Sequence, residues 1–375
     1  MFLIIGVVIS FFLSGLLFLK KHKSRADKIL LVWLLFMAIH QLMMYLQISG
    51  VLFKYPHLLG ISFPFPVLQG LMLFVYVSEI TGNRFKHRGY ILLHLLPAFS
   101  LVALAMPFYL LPPEEKIWVF ENEGKGFEWY MTYINVLIGA SGFFYSVWSL
   151  FLIRRYRTDI QETLSNTDKK ELKWLQYLSI ALGIIWILSL FVDNSIIYPA
   201  VVVFVILIGF FGINQMDIFN STVNQTHLAE RSGVETTNAE KLNSNRYAKS
   251  GLDKEKALKL YLDLKQIMEE KEIYKNANLT LRDLALELDC SANYLSQVIN
   301  EKEKINFYSY VNKLRIEFFL QQMDLPQNKK YTMMSVANDC GFSNKSTFNR
   351  HFKRITGQTP SEFFKLRKNP VEKSD

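Results

Sequence analysis

"CGFSNKSTFNRHFKR", residues 340–354, is the stretch on which the reading of this chain turns. At helical spacing, residues 344–356 sort onto two faces. Phe348, Phe352 and Ile355 fall at i, i+4 and i+7 and form an apolar stripe that anchors the helix. Lys345, Ser346, Asn349, Arg350 and Lys353 fall on another face. An arginine guanidinium can bond guanine at two points, an asparagine amide can bond adenine in the same way, and Lys and Ser suit phosphate oxygens. Residues 329–369 hold nine Lys/Arg against two Asp/Glu, a strong basic excess. A charged helix face taken alone is most simply a solvated surface. The surrounding pattern argues for more.

That pattern is a repeat. Upstream, "TLRDLALELDCSANYLSQVINEK" (280–302) follows the same plan as "TMMSVANDCGFSNKSTFNRHFKR" (332–354). Leu284–Ala285 corresponds to Val336–Ala337, and Leu288 to Cys340. The paired alanines are small where two helices must cross closely. Each pair of helices is joined by a short turn, the second one residue longer and containing Gly341, where a positive φ is cheap. Thr280 with Asp283 and Ser291 supply helix-start signals, a connecting helix is expected over 306–324, and Gly357 suits a C-cap. Thr359, Pro360 and Glu362 then begin another helix as cap, first residue and capping-box acid. An amphipathic helix precedes the repeat, with apolar residues at 257, 260, 261, 264, 267 and 268. The inference is two helix-turn-helix units in tandem, at about 280–300 and 332–356.

The first 214 residues read differently. All six Trp lie there, together with seven apolar runs at roughly 1–19, 29–53, 58–80, 90–112, 129–153, 174–192 and 195–214. About 20 residues cross a hydrocarbon core of about 30 Å, so each run is a candidate span, with "VDNS" (192–195) as the polar turn dividing the last two. With the N-terminus outside, the loops at 20–28, 81–89 and 154–173 face the cytoplasm and carry 14 of the 17 Lys/Arg of this half. That is a strong positive-inside asymmetry, and seven spans then deliver the C-terminus to the cytoplasm. The fold class expected is all-α, a seven-transmembrane-helix bundle followed by a tandem helix-turn-helix domain. The expected domains are 1–214 in the membrane, a polar Asn/Ser/Thr-rich linker at 215–250, and 251–375 as the soluble domain.

With these residues in view, 254–368 resembles the DNA-binding domain of AraC/XylS-family transcription regulators. The match is strongest over "SVANDCGFSNKSTFNRHFKRITGQTPSEFF" (335–364), with Gly341-Phe342, Phe348, Phe352-Lys353, Gly357 and Thr359-Pro360 in place. The seven-span fusion is similar to membrane-bound members in Bacteroidetes-type bacteria. The resemblance implies two recognition helices in successive major-groove segments, about 34 Å apart. Carried over by position, it implies DNA contacts from Lys345, Ser346, Asn349, Arg350 and Lys353 in the second unit and Asn293, Ser296 and Gln297 in the first. The chain departs from the family pattern at "EKEK" (301–304), where many members place a glycine, and at Phe319, which takes a usually small position.

Within the spans, His40, Gln41 and Gln69 are mid-membrane polar residues. Each either hydrogen-bonds a neighbouring helix or lines a ligand pocket. No catalytic constellation, metal-ligand spacing or cofactor motif stands out, so no enzyme, metal or cofactor is expected. Cys290 and Cys340 read as free, buried thiols. The function expected is a membrane-anchored, sequence-specific transcription regulator, in the inner membrane with its tail in the cytoplasm. The competing reading is a transporter or membrane enzyme with an appended DNA-binding reporter tail. Expected partners are double-stranded promoter DNA, the lipid bilayer, an unidentified signal ligand, RNA polymerase and a second copy of the chain.

Overall fold

The structure, a computed structural model, describes residues 2–83, 89–167, 171–192, 196–212 and 254–368. The linker expected at 215–250 lies outside the described residues, as does most of the "VDNS" turn. Among the described residues every regular element is helical, and the one extended pairing is an isolated antiparallel bridge between Leu164 and Thr280. Contacts divide the chain into two units, Met1–Tyr156 with Leu172–Val234, and Arg157–Glu171 with Glu235–Asp375.

The first unit contains α1 (Phe2–Leu19), α2 (Arg25–Ile48), α3 (Phe65–Ile80), α4 (Gly89–Leu104), α5 (Met106–Tyr109) and α6 (Pro113–Glu121). It also holds most of α7 (Glu128–Thr163), then α8 (Lys173–Leu188) and α9 (Ile196–Gly212). Each of the seven apolar runs coincides with one helix: α1 to α4 and α7 to α9. The runs overshoot at 49–64 and 105–112, where short 3-10 turns and α5 break the helical path around Gly50, Pro56, Pro64 and Pro107. Proline and positive-φ glycine interrupt helices, and Gly50 and Gly60 both adopt positive φ. Helix α2 starts on a capping box, with the Asp27 N–H donating to Ser24 Oγ at 3.0 Å and the Ser24 N–H to Asp27 Oδ2 at 2.7 Å. Its core is aromatic, with Trp33 6.1 Å from the rings of both Tyr76 and Phe204.

Two helices, α2 and α7, are long and apolar enough to cross a membrane; α1, α3, α4, α8 and α9 are apolar but shorter. Many large apolar side chains point outward from these helices, among them Phe12, Phe18, Leu93, Phe143, Phe151 and Phe210.

The second unit contains α10 (Lys254–Lys271), α11 (Leu281–Glu287), α12 (Ala292–Glu303), α13 (Phe307–Asp324), α14 (Met333–Asp339), α15 (Lys345–Thr356) and α16 (Pro360–Lys368). The repeat is visible as equal lengths: α11 and α14 have 7 residues, α12 and α15 have 12. Its turns open with the same hydrogen bond. The Cys290 N–H donates to the Ala285 carbonyl and the Phe342 N–H to the Ala337 carbonyl, both at 3.0 Å. Asp289 and Gly341 take the same place in the two turns, both with positive φ.

Helix α13 joins the repeats by serving two cores. Its first half gives Phe307, Tyr310 and Val311 to a cluster with Leu264, Leu284, Leu295 and Ile299. Its second half gives Ile316 and Phe319 to a cluster with Val336, Ala337, Phe348 and Phe352. Phe319, the departure from the family pattern, is fully buried, and the rings of Phe348, Phe352 and Phe364 stand 4.7, 6.0 and 6.2 Å from it. The other departure also has a structural reading. Lys304 is the α12 C-cap and adopts φ 57°, the left-handed conformation that glycine enters without strain.

Candidate nucleic-acid interface

Asn344 starts α15 by accepting the Thr347 N–H at 2.8 Å, and Gly357 ends it in the left-handed conformation. Thr347, Phe348, His351 and Phe352 are its buried residues. Taken at 100° per residue, Ser346, Asn349, Arg350 and Lys353 centre on the side opposite that stripe. Lys345, Ser346, Arg350 and Lys353 are exposed and Asn349 half-buried, so four of the second unit's five candidates share one outward surface and Lys345 is exposed beside it in the first turn. Ile355 was expected on the anchoring stripe and is 37 % exposed instead. It lies in the last helical turn, and Thr347 and His351 fill the stripe in its place.

Arg350 is held from one side. Its guanidinium lies over the Tyr308 ring, 5.9 Å from the centroid, and Nη2 donates to the Tyr308 hydroxyl. Arg354 Nη1 donates to Ser309 Oγ at 3.1 Å. Both arginines therefore lean on the start of α13, which limits their rotamers, and Arg354 joins the basic face although sequence spacing did not single it out.

Beneath them His351 is 1 % exposed, with its ring 4.9 Å from Tyr308. Neither ring nitrogen has a hydrogen-bond partner among the described residues. Burial, with Arg354, Arg350 and Arg315 nearby, pushes its pKa down to about 3, so the imidazole is neutral across the physiological range. Cys340 is buried beside this core, and burial pushes its thiol up to about 12, the state of a packing residue. Cys290 is free as expected but only half-buried.

Arg315 of α13 is the deepest cation of the unit, at 1 % exposure. Its Nε donates to the Tyr274 carbonyl at 2.7 Å, Nη2 to the Asn276 carbonyl at 2.8 Å and Nη1 to Asn312 Oδ1 at 3.2 Å. Further bonds run to Ser165, outside the repeats. Gly341 packs against this group with φ +94°. A Cβ there would stand 2.7 Å from the Lys275 carbonyl and 2.9 Å from Arg315 Nε, so both its conformation and its space demand glycine.

The first unit presents a different surface. Superposing the repeats places Asn293, Ser296 and Gln297 where the second has Ser346, Asn349 and Arg350. Asn293 is exposed and Ser296 half-buried. Gln297 is 6 % exposed, and its Nε2 donates to Glu301 Oε1 at 2.8 Å. The four cations Lys345, Arg350, Lys353 and Arg354 face Ala292, Gln297, Asn300 and Glu301 in the alignment.

In the other unit, His40, Gln41 and Gln69 all line one cavity of about 220 Å³, together with Asn135, Trp186 and Tyr198. Gln69 Oε1 accepts the Trp33 indole N–H at 2.7 Å, a helix-to-helix bond of the structural kind. Gln41 Nε2 donates to Ser10 Oγ at 3.4 Å, while its Oε1 has no partner among the described residues. His40 stacks on Phe65 at 5.9 Å. Among the described residues no group of His, Cys, Asp and Glu could hold a metal ion.

Residues 284–366 match a family described as a helix-turn-helix domain. The chain is similar to the Msm operon regulatory protein of Streptococcus mutans, 27% identical over 89 residues, which are 24% of this chain and 31% of that protein. It is also similar to the transcriptional regulatory protein HptR of Staphylococcus aureus, 28% identical over 103 residues, 28% of this chain and 39% of that protein. The chain thus spans about a third of the length of the curated relatives it matches. No solved structure matches it. The second unit carries a DNA-binding helix-turn-helix domain of the kind found in transcription regulators.

Proposed function

We propose that the protein is a membrane-anchored, sequence-specific transcription regulator of the AraC/XylS type. The observation that carries the DNA-binding part is the outward surface of α15. Ser346, Asn349, Arg350 and Lys353 stand together opposite a buried stripe, on a helix fixed at both ends by Asn344 and Gly357. The helix-turn-helix match and the regulatory relatives support the same reading. Phosphate contacts from the lysines would set the register, and Arg350 and Asn349 would read base edges. The two-unit repeat suits two recognition sites about one helical turn apart, and the polar Asn293 and Ser296 are the first unit's base-reading candidates.

Membrane anchoring is supported by the seven apolar helices, by their outward-facing Phe and Leu side chains and by the loop charges. Large apolar side chains exposed in such number are rare on soluble monomers. In this reading the N-terminus is outside, seven spans cross the inner membrane and the second unit is cytoplasmic. The cavity lined by His40, Gln41 and Gln69 is the candidate place for a signal ligand, which would make the membrane half a sensor rather than a tether.

Selection from a random-sequence duplex library with the full-length protein in nanodiscs tests the DNA reading. Enrichment of a motif with two half-sites about one turn apart is expected; recovery of unenriched sequence would overturn it. A C-terminal fusion reporter tests the topology: activity outside the cell would overturn the orientation. Unchanged regulation after exchange of the membrane half for an unrelated anchor would reduce that half to a tether.

A further inference from the structure

Ser165, Asn166 and Glu171 lie far from the repeats in sequence yet bind the same unit. Ser165 is fully buried. Its N–H donates to the Leu279 carbonyl at 3.1 Å. Its carbonyl accepts from Asn312 Nδ2 at 3.0 Å and from Arg315 Nη1 at 3.3 Å, and its hydroxyl accepts from Arg315 Nη2 at 3.1 Å. Asn166 Nδ2 donates to Ser343 Oγ at 2.7 Å, one residue before the α15 cap. Glu171 Oε1 stands 3.6 Å from Arg350 Nη1. That carboxylate is aimed by Thr167 Oγ1, which donates to it at 3.0 Å, and the Glu171 carbonyl is fixed by Arg157 Nε at 2.5 Å.

These contacts have the marks of recognition. A buried guanidinium is costly unless its donors meet acceptors, and Arg315 takes two of them from a single serine. The seat therefore selects backbone and hydroxyl oxygens at one position. It also reaches two places that nucleic acid would need. A carboxylate beside Arg350 occupies a cation suited to a phosphate or a guanine edge. Asn166 covers the approach to the N-terminal end of α15, where backbone N–H groups favour anions. A DNA phosphate at Arg350 would meet the like charge of the Glu171 carboxylate beside it.

We propose that Ser165, Asn166 and Glu171 form an internal strap whose seat on α13 and α15 competes with DNA, so that strap release is a step in DNA binding. The proposal rests on the reading of α15 as the DNA-contacting helix. The strap follows directly on α7 in the chain.

The test uses full-length protein in nanodiscs and a duplex enriched from the random library. Asn166→Cys with Ser343→Cys puts two thiols where side chains already touch; oxidised wild-type protein controls for Cys290 and Cys340. The cross-linked protein is expected to bind the duplex at least 10-fold more weakly, with affinity restored by reductant. Glu171→Gln is expected to tighten binding by about 2- to 5-fold, the range of one half-exposed ion pair. A misfolded variant would lose affinity, so a gain reports strap release. Equal affinity of the locked and reduced forms would overturn the strap while leaving the DNA reading intact. A cysteine pair that does not cross-link would contradict the seat itself. Absence of sequence-specific binding by every form would instead remove the DNA reading beneath it.

Discussion

The two helix-turn-helix repeats share a scaffold and differ in nearly everything placed upon it. Helix lengths of 7 and 12 residues, the paired alanines and the turn hydrogen bonds at 3.0 Å recur in both. Backbone demands thus set the framework twice over. The outward faces then diverge: Lys345, Arg350, Lys353 and Arg354 in the second repeat stand against Ala292, Gln297, Asn300 and Glu301 in the first. Phosphate attraction is additive in cationic contacts, so on the proposed reading one scaffold would supply a strong electrostatic reader and a weak one. The difference teaches that the fold alone does not assign DNA contact; the side chains on the second helix of each repeat do.

Substitutions that exchange features between repeats probe this contrast. The largest effect belongs to the turns. Gly341→Ala should destabilise the second repeat by about 2–4 kcal/mol, through forced left-handed backbone and the clash with the Lys275 carbonyl. Hydrogen exchange of α14 and α15 amides in the full-length protein measures it, while Asp289→Gly at the matching place should leave α11 and α12 protection equal or higher.

His351 comes next, since its counterpart in the first repeat is the buried Val298. Its folded pKa, about 3, lies below the ordinary 6.5. The unfolded chain therefore binds the proton first, and stability is complete above pH 6.5 and falls as pH drops toward 3. The slope is about 1.4 kcal/mol for each pH unit. His351→Val should flatten this acid loss in α15 exchange; an unchanged slope would show that another group carries it.

Binding effects follow. Arg350→Ala should weaken binding to the selected duplex by about 1–3 kcal/mol, whereas Gln297→Ala, already turned to Glu301, should change it by less. Equal losses would mean the two repeats read DNA alike. The smallest effect is expected at Lys304, where Lys304→Gly should relieve its left-handed cap and stabilise the first repeat by about 0.5–1 kcal/mol.

Local features were legible because they are written in short-range chemistry. Thr280, Ser291, Gly357 and Thr359 act as the caps their residue types suggest, and the apolar spacing placed α13 to within a residue. His351 was missed although a signal existed. It lies one helical turn from Thr347 and Phe348, inside the arc of the stripe, but a polar residue in that arc reads as solvated unless its neighbours are known. The left-handed turns at Asp289 and Lys304 carried no glycine to announce them. The strap was illegible for a stronger reason: Ser165 and Arg315 are 150 residues apart, and nothing local marks a serine as an acceptor for a buried guanidinium. In the N-terminal unit, the apolar runs located helices, yet the convergence of His40, Gln41 and Gln69 on one cavity is a property of packing alone.

The central claim is that α15 reads DNA in the cell, and mapping the DNA bound by the intact protein tests it most directly. Wild-type protein is expected at discrete promoter-proximal sites sharing the selected motif, with that occupancy lost in an Arg350→Ala, Lys353→Ala double variant of equal abundance. Scattered, motif-free occupancy, or occupancy that the double variant leaves unchanged, would contradict it.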